Sequence, residues 1–241
     1  MSAVAIIPAR YQSTRFPGKP LALLGGKPML QHVWERAKQA LPRVIIATDD
    51  ERIASAAQVF GAEVVMTSPE HPSGSDRIAE VIQNLPAPDD IVLNVQGDEP
   101  FVPPDLLQSL IRALSDSLVV DMATAACAMS ADEAEDPNKV KVVMDEQQRA
   151  LYFSRSKIPF VREALPGQIY YRHLGIYAYR RNFLLEYVKH LPNRLERLEC
   201  LEQLRALGLG AKIQVVLTDD PGLGIDTPQD LEIAEKLLEQ L

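Results

Sequence analysis

Ile6-Ile7-Pro8-Ala9-Arg10-Tyr11-Gln12-Ser13-Thr14-Arg15-Phe16-Pro17-Gly18-Lys19-Pro20 starts as a strand and ends as a cationic loop. The run Val4–Ile7 is apolar without alternation, the pattern of a strand buried on both faces. It stops at Pro8, and the loop that follows carries Arg10, Arg15 and Lys19. Ser13, Thr14 and Gly18 add backbone N–H groups suited to phosphate oxygens. A cationic loop directly after the first strand of an α/β protein lies at the carboxyl end of the sheet, where such folds bind ligands. On charge alone, a solvated surface turn stands equally open.

The surrounding charge narrows the ligand class. The first 43 residues hold seven Lys/Arg and one acid, a net +6, on a 241-residue chain of net charge −8. A local cationic loop on an acidic protein suits a small polyanion, whereas nucleic acid would need a wider basic patch. The 46% hydrophobic content is ordinary for a globular chain with a sizeable core. No apolar run is long enough to span a membrane, and the amino end lacks the pattern of a signal peptide. Cys127 and Cys200 match no metal or redox spacing and read as buried free thiols in a reducing cytoplasm. The four histidines form no metal-ligand motif.

Outward from the first strand, strand and helix signals alternate. Leu30, Val33, Trp34 and Ala37 share one face of a helix with Pro28 at its first position, running to about Ala40. Expected strands are Val44–Ala47, Glu63–Met66, Ile91–Val95, Met122–Met129, Lys139–Met144, Leu151–Ser154, Arg172–Tyr179 and Ile213–Leu217. Expected helices are Glu51–Phe60, Ser75–Leu85, Pro103 to about Leu114, Asn182–Lys189, Glu196–Leu207 and Pro228–Leu238. Thr227, Pro228 and Asp230 read as a capping box with proline at the first turn. Strands separated by helices imply an α/β fold with a largely parallel sheet covered on both faces. No linker or repeat divides the chain, so residues 1–241 read as one domain with an antiparallel piece around 151–180.

Four groups of residues carry chemistry. Gly97 and Asp98 follow the central strand, where a carboxylate is well placed to hold Mg²⁺, although for this motif alone a turn acid bonded to its own backbone is the favoured reading. Asp226 precedes a helix cap and lies past the last strand; two carboxylates facing one crevice would suit Mg²⁺ on a triphosphate. Ser73, Gly74, Ser75 and Arg77 lie at a strand-to-helix junction, with Ser75 the expected cap and the others open to base, ribose or phosphate. Arg155, together with His173, Gly175, Tyr177 and Tyr179 on one strand face and Glu202 and Gln203 on a helix, would suit a hydroxylated acid sugar or a solvated face. Gly25-Gly26-Lys27 is followed by Pro28 and reads as a tight turn, not a phosphate loop.

Taken together, I-I-P-A-R-Y-x-S-T-R-F-P-G-K-P-L, A-T-D-D, H-x-S-G-S-D-R, N-V-Q-G-D-E-P, K-V-V-M-D, A-L-Y-F-S-R-S-x-I-P, R-H-L-G-I-Y-A-Y, L-E-x-L-E-x-L-R and G-I-D-T-P-x-D-L run in order from residue 6 to residue 231. The set resembles the 3-deoxy-manno-octulosonate cytidylyltransferases, the CMP-Kdo synthetases of lipopolysaccharide assembly. The resemblance implies a single nucleotidyltransferase domain of Rossmann-like, GT-A type, a homodimer, a cytoplasmic location and Mg²⁺ dependence. It places CTP phosphates on Arg10, Arg15 and Lys19, and the nucleoside near Pro8, Ala9, Ser73, Gly74 and Arg77. It places Mg²⁺ on Asp98 and Asp226, and the acid sugar near Gln96, Arg155, His173, Tyr177, Glu202 and Gln203. Catalytic weight falls on Lys19, Arg10, Asp98 and Asp226. Ser75 stands where many members carry threonine, which keeps the hydroxyl. The implied reaction joins CMP from CTP to the anomeric hydroxyl of Kdo and releases pyrophosphate. An 8-amino-Kdo or sialic acid substrate, or a non-catalytic nucleotide sensor, remain the alternatives.

Overall fold

The computed structural model describes residues 1–12, 16–85, 89–163 and 166–239. The chain forms two compact units, Met1–Gln108 with Gly222–Leu241, and Ser109–Pro221. In chain order the first unit builds β1 (Ser2–Ala9), two short strands β2 (Leu23–Leu24) and β3 (Lys27–Pro28), α1 (Met29–Ala40), β4 (Val44–Thr48), α2 (Glu51–Val59), β5 (Glu63–Met66), α3 (Gly74–Asn84) and β6 (Asp89–Asn94). Helix α4 (Pro104–Ser115) leads into the second unit, which holds β7 (Met122–Met129), β8 (Lys141–Met144), β9 (Ala150–Ser154), β10 (Tyr170–Arg180), α5 (Arg181–Tyr187), α6 (Arg194–Glu199), α7 (Gln203–Gly208) and β11 (Ile213–Thr218). The closing helix α8 (Pro228–Leu238) belongs to the first unit.

In the first unit β1 pairs in parallel with β4 on one side and with β6 on the other, and β5 pairs in parallel with β4. Val4 to Ile7, Ile45 to Ala47 and Ile91 to Leu93 are wholly buried, as expected of strands covered on both faces. The chain winds outward from β1 through β4 to β5, then returns to β6 on the far side of β1. The order therefore reverses between β1 and β6, and a crevice opens past their carboxyl ends. Helix α8 is fixed by the capping box read from the sequence: Thr227 Oγ1 accepts from Asp230 N at 3.2 Å, and Asp230 Oδ2 accepts from Thr227 N at 2.8 Å.

The second unit pairs β7 in parallel with β11 and antiparallel with β10. The β8–β9 hairpin joins β10 through Arg172 and Lys141, so the antiparallel pairing includes the expected 151–180 region but also draws in β7 and β8 before it. The pairing of β10 with β7 shifts register between Leu174 and Tyr177, yet this bulge leaves His173, Tyr177 and Tyr179 neighbours as expected, with ring centroids 5.6 and 5.9 Å apart.

Three local expectations change. Pro28 is the N-cap of α1, not its first helical residue, because it also ends the β2–β3 hairpin. Ser73, not Ser75, caps α3; the hydroxyl of Ser73 accepts from Asp76 N, while Ser75 is buried inside the first turn. The expected helix Glu196–Leu207 is two helices, because Cys200 adopts the left-handed conformation at φ 51° and ends α6. Cys127 is buried as expected, whereas Cys200 is exposed.

The left-handed backbone at Cys200 costs a residue with a Cβ about 1–2 kcal/mol, and more with β-branching. Cys200→Gly should therefore leave the urea midpoint unchanged or raised, and Cys200→Val should lower it. Equal effects of the two substitutions would show that the break is not a conformational constraint.

Candidate active site

A cavity of about 510 Å³ occupies the crevice past β1 and β6. Strand β1 delivers Pro8, Ala9 and Arg10 to its wall, and the loop after β6 delivers Gln96, Gly97 and Asp98. These two segments approach so closely that a Cβ on Gly97 would lie 3.3 Å from Pro8 O. Glycine at that position keeps the two loops together. Ser73 and Gly74 bring the amino end of α3 into the wall, whose positive dipole end suits an anion.

The floor carries the charges. Lys19 follows Gly18, whose φ of 73° turns the chain and whose N–H donates to Tyr11 O at 2.9 Å. Lys19 Nζ lies 2.7 Å from Asp98 Oδ2 and 3.1 Å from Asp226 Oδ1. Burial opposes its charge, but Asp98 and Asp226 outweigh burial and raise its pKa above that of ordinary lysine. Ile225 N donates to Asp98 O at 2.9 Å, tying the segment before α8 to the loop after β6. That bond brings carboxylates from distant parts of the chain to one ammonium. Arg10 donates to the carbonyls of His71 and Ser73. Burial, then repulsion from Arg77, lowers its pKa, so a bound anion would relieve it.

The structure thus brings Pro8, Ala9, Arg10, Lys19, Ser73, Gly74, Gln96, Asp98 and Asp226 to one cavity. Arg77 does not join them. It is fully buried, its guanidinium donating to the Thr67 hydroxyl and to Asp49 Oδ2 at 3.0 Å. Its place in the motif is therefore that of a core cation anchoring α3 to the segments after β4 and β5. Ser13, Thr14 and Arg15 lie outside the described residues.

The other sugar-side candidates lie in the second unit. Arg155 Nε donates to Glu199 O at 2.7 Å, Nη1 to Pro137 O at 3.1 Å and Nη2 to Cys200 O at 3.4 Å. Glu199 also holds Ser154 Oγ at 2.6 Å and Arg155 N at 2.9 Å. The break at Cys200 thus supplies a carbonyl to Arg155 and starts α7 at Gln203. Every guanidinium bond found goes to a backbone carbonyl, so the cation is positioned without a carboxylate partner among the described residues. His173 Nε2 lies 2.9 Å from Thr124 Oγ1, and its Nδ1 lies 3.5 Å from Gln203 Nε2. Tyr177 Oη donates to Gln203 Oε1 at 3.2 Å. Glu202 accepts from the Tyr187 hydroxyl through its backbone carbonyl at 2.9 Å. Thr124 was not legible in the sequence, because it stands in the alanine-rich run of β7 and looks like core. The sequence signal that points to it is a lone hydroxyl inside that run.

A cytidylyltransferase family model matches residues 4–213. The chain belongs to the cytidylyltransferase family. It is 52% identical to a 3-deoxy-manno-octulosonate cytidylyltransferase of Vibrio vulnificus, with 99% of this chain and 98% of that protein covered. A solved CMP:2-keto-3-deoxy-manno-octonic acid synthetase, complexed with CTP, is 45% identical and superposes with a TM-score of 0.95, covering 100% of this chain and 99% of that one. The 4-diphosphocytidyl-2C-methyl-D-erythritol synthase of Anaerococcus prevotii, 14% identical, shares the fold with a TM-score of 0.66 over 99% of this chain and 98% of that one. The cytidylyltransferase is therefore a mixed α/β protein of the nucleotidyltransferase fold with a largely parallel sheet. No helix among its described residues is long and apolar enough to cross a membrane.

Burial, then the nearby Arg172, lowers the pKa of His173 from 6.5 to about 3. Above pH 6.5 the imidazole is neutral in both folded and unfolded chains, and its full contribution is present. As pH falls below that value, the unfolded chain takes a proton that the folded one refuses, and stability is lost until the folded pKa is reached. Between pH 7 and pH 5 the loss from this group should be about 2 kcal/mol, measured by urea unfolding. His173→Gln should flatten that slope, and an unchanged slope would mean that His173 is not held neutral.

Proposed function

We infer that this cytidylyltransferase transfers CMP from CTP to the anomeric hydroxyl of 3-deoxy-manno-octulosonate, with release of pyrophosphate. The observation that carries this reading is Lys19 held between Asp98 and Asp226 on the floor of a cavity walled by Arg10 and the amino end of α3. A sensor would need the nucleotide pocket but not a cation flanked by paired carboxylates. Near-complete coverage of relatives named for this reaction supports the sugar.

In this reading Pro8 and Ala9 with Ser73 frame the nucleoside. Arg10 and the N–H groups at the start of α3 hold phosphate oxygens, and Arg15 joins them. Lys19 offsets the charge that develops at the α-phosphate as the sugar hydroxyl attacks in line, its proton passing to water or to Asp226, and the bond to pyrophosphate breaks. The protein contributes positioning and fixed charge, with no covalent intermediate. For the acid sugar the reading assigns Arg155, His173, Tyr177, Glu202 and Gln203 in the second unit and, separately, Gln96 on the wall of the first-unit cavity. Arg155 suits the sugar carboxylate because its charge has no acidic partner among the described residues.

Asp98 and Asp226 fit a Mg²⁺ site, because their oxygens are hard donors already gathered around one cation. When bound there, Mg²⁺ would neutralise triphosphate charge and orient the phosphates.

Pyrophosphate release should appear with CTP and Kdo and stop with EDTA. Asp98→Asn and Asp226→Asn should each lower kcat on the order of 10²-fold while the protein stays folded. Turnover with 8-amino-Kdo or sialic acid but not with Kdo would overturn the substrate assignment. Full activity of Asp226→Asn would reduce that residue to a helix-start acid.

We also propose a homodimer in the cytoplasm, supported by the resemblance to the CMP-Kdo synthetases. Light scattering should give twice the 26.7 kDa chain mass. A monomer mass at working concentrations would remove the dimer.

A further inference from the structure

Thr124 lies on β7, fully buried, opposite the bulge of β10. The register shift turns carbonyls toward it. Its hydroxyl lies 3.1 Å from Leu174 O, 2.9 Å from Ile176 O and 2.9 Å from His173 Nε2. A hydroxyl has one proton to give, and a carbonyl oxygen can only accept. If the proton went to Nε2, the hydroxyl lone pairs would face two carbonyl lone pairs in a buried space, a costly arrangement. The proton therefore goes to a carbonyl, and His173 Nε2 carries the hydrogen that Thr124 Oγ1 accepts.

The consequence propagates. With Nε2 protonated, Nδ1 is an acceptor and calls for the amide nitrogen of Gln203, which faces it at 3.5 Å. The Gln203 amide is then oriented with Oε1 toward Tyr177, whose hydroxyl donates to it at 3.2 Å. The opposite tautomer of His173 would demand the flipped amide and would turn Tyr177 into an acceptor. A neutral imidazole can exist in either form, so something outside the ring has to choose.

We propose that Thr124 is a positioning residue for the sugar side of the reaction, selecting the Nε2–H tautomer of His173 and through it the direction in which Gln203 and Tyr177 present donors and acceptors. This rests on the reading of His173, Tyr177 and Gln203 as sugar-binding. A polyhydroxylated acid sugar is sensitive to such a reversal, because a site that offers an acceptor where a donor is needed leaves polar groups unpaired.

Nitrogen-15 spectra of the side-chain imidazoles in the intact protein read the tautomer directly. The wild type and Thr124→Ser should show His173 protonated on Nε2, and Thr124→Val should show a mixture or the Nδ1–H form. Thr124→Val should raise KM for Kdo on the order of tenfold, with kcat and KM for CTP within about twofold; Thr124→Ser should restore it. An Nδ1–H tautomer in the wild type overturns the proposal, and this measurement stands even if Thr124→Val does not fold. A raised KM for Kdo in Gln203→Ala with no change in Thr124→Val overturns the role of Thr124 alone. No change in Gln203→Ala overturns the sugar-site reading on which it rests.

Discussion

Two carboxylates share one ammonium at the floor of the crevice, and the arrangement of the first unit serves that contact. Asp98 and Asp226 repel each other, and Lys19 Nζ, at 2.7 and 3.1 Å, holds them together. The contact is not a large source of stability, since taking charges out of water offsets much of the attraction. Its value is positional. Asp226 is delivered by an apolar cluster in which Leu24, Met29, Ile225 and Ala234 are wholly buried, with Leu231 and Leu238 of α8 packed against it. Burial of that cluster docks the last helix, the Ile225–Asp98 bond sets the register, and the carboxylate arrives where a triphosphate would need it.

The second unit solves a different problem with neutral groups. Phe153, His173, Tyr177, Tyr179 and Tyr187 form a row of rings with neighbouring centroids 4.8 to 6.3 Å apart. Burial keeps His173 uncharged and raises the pKa of Tyr177 well above that of ordinary tyrosine. Neutral groups interact through the direction of their hydrogen bonds, and the buried Thr124 hydroxyl, 2.9 Å from His173 Nε2, bears on that direction. Arg155, two residues after Phe153, is held by the carbonyls of Pro137, Glu199 and Cys200. The break at Cys200 shortens α6 and starts α7 at Gln203, so one left-handed residue sets both the cation and the amide.

The alternation of buried strands and amphipathic helices was legible from Val4 to Leu238 because each element imposes its own period on the chain. The capping box at Thr227 and Asp230 was equally legible, since its partners lie within one turn. So was the cationic loop, whose place after the first strand decides which end of the sheet it faces. The sequence by itself therefore determined the fold class and the expectation, met by Arg10, Lys19, Asp98 and Asp226, that cationic and acidic residues face one crevice. Only the tertiary structure decided that Arg77 turns inward to Asp49, that Ser73 rather than Ser75 caps α3, that a helix breaks at Cys200, and that Thr124 meets His173. In each case the outcome depends on which polar atom arrives from another element. Strand register and loop closure fix that arrival, and neither is encoded in the spacing of residues along the chain.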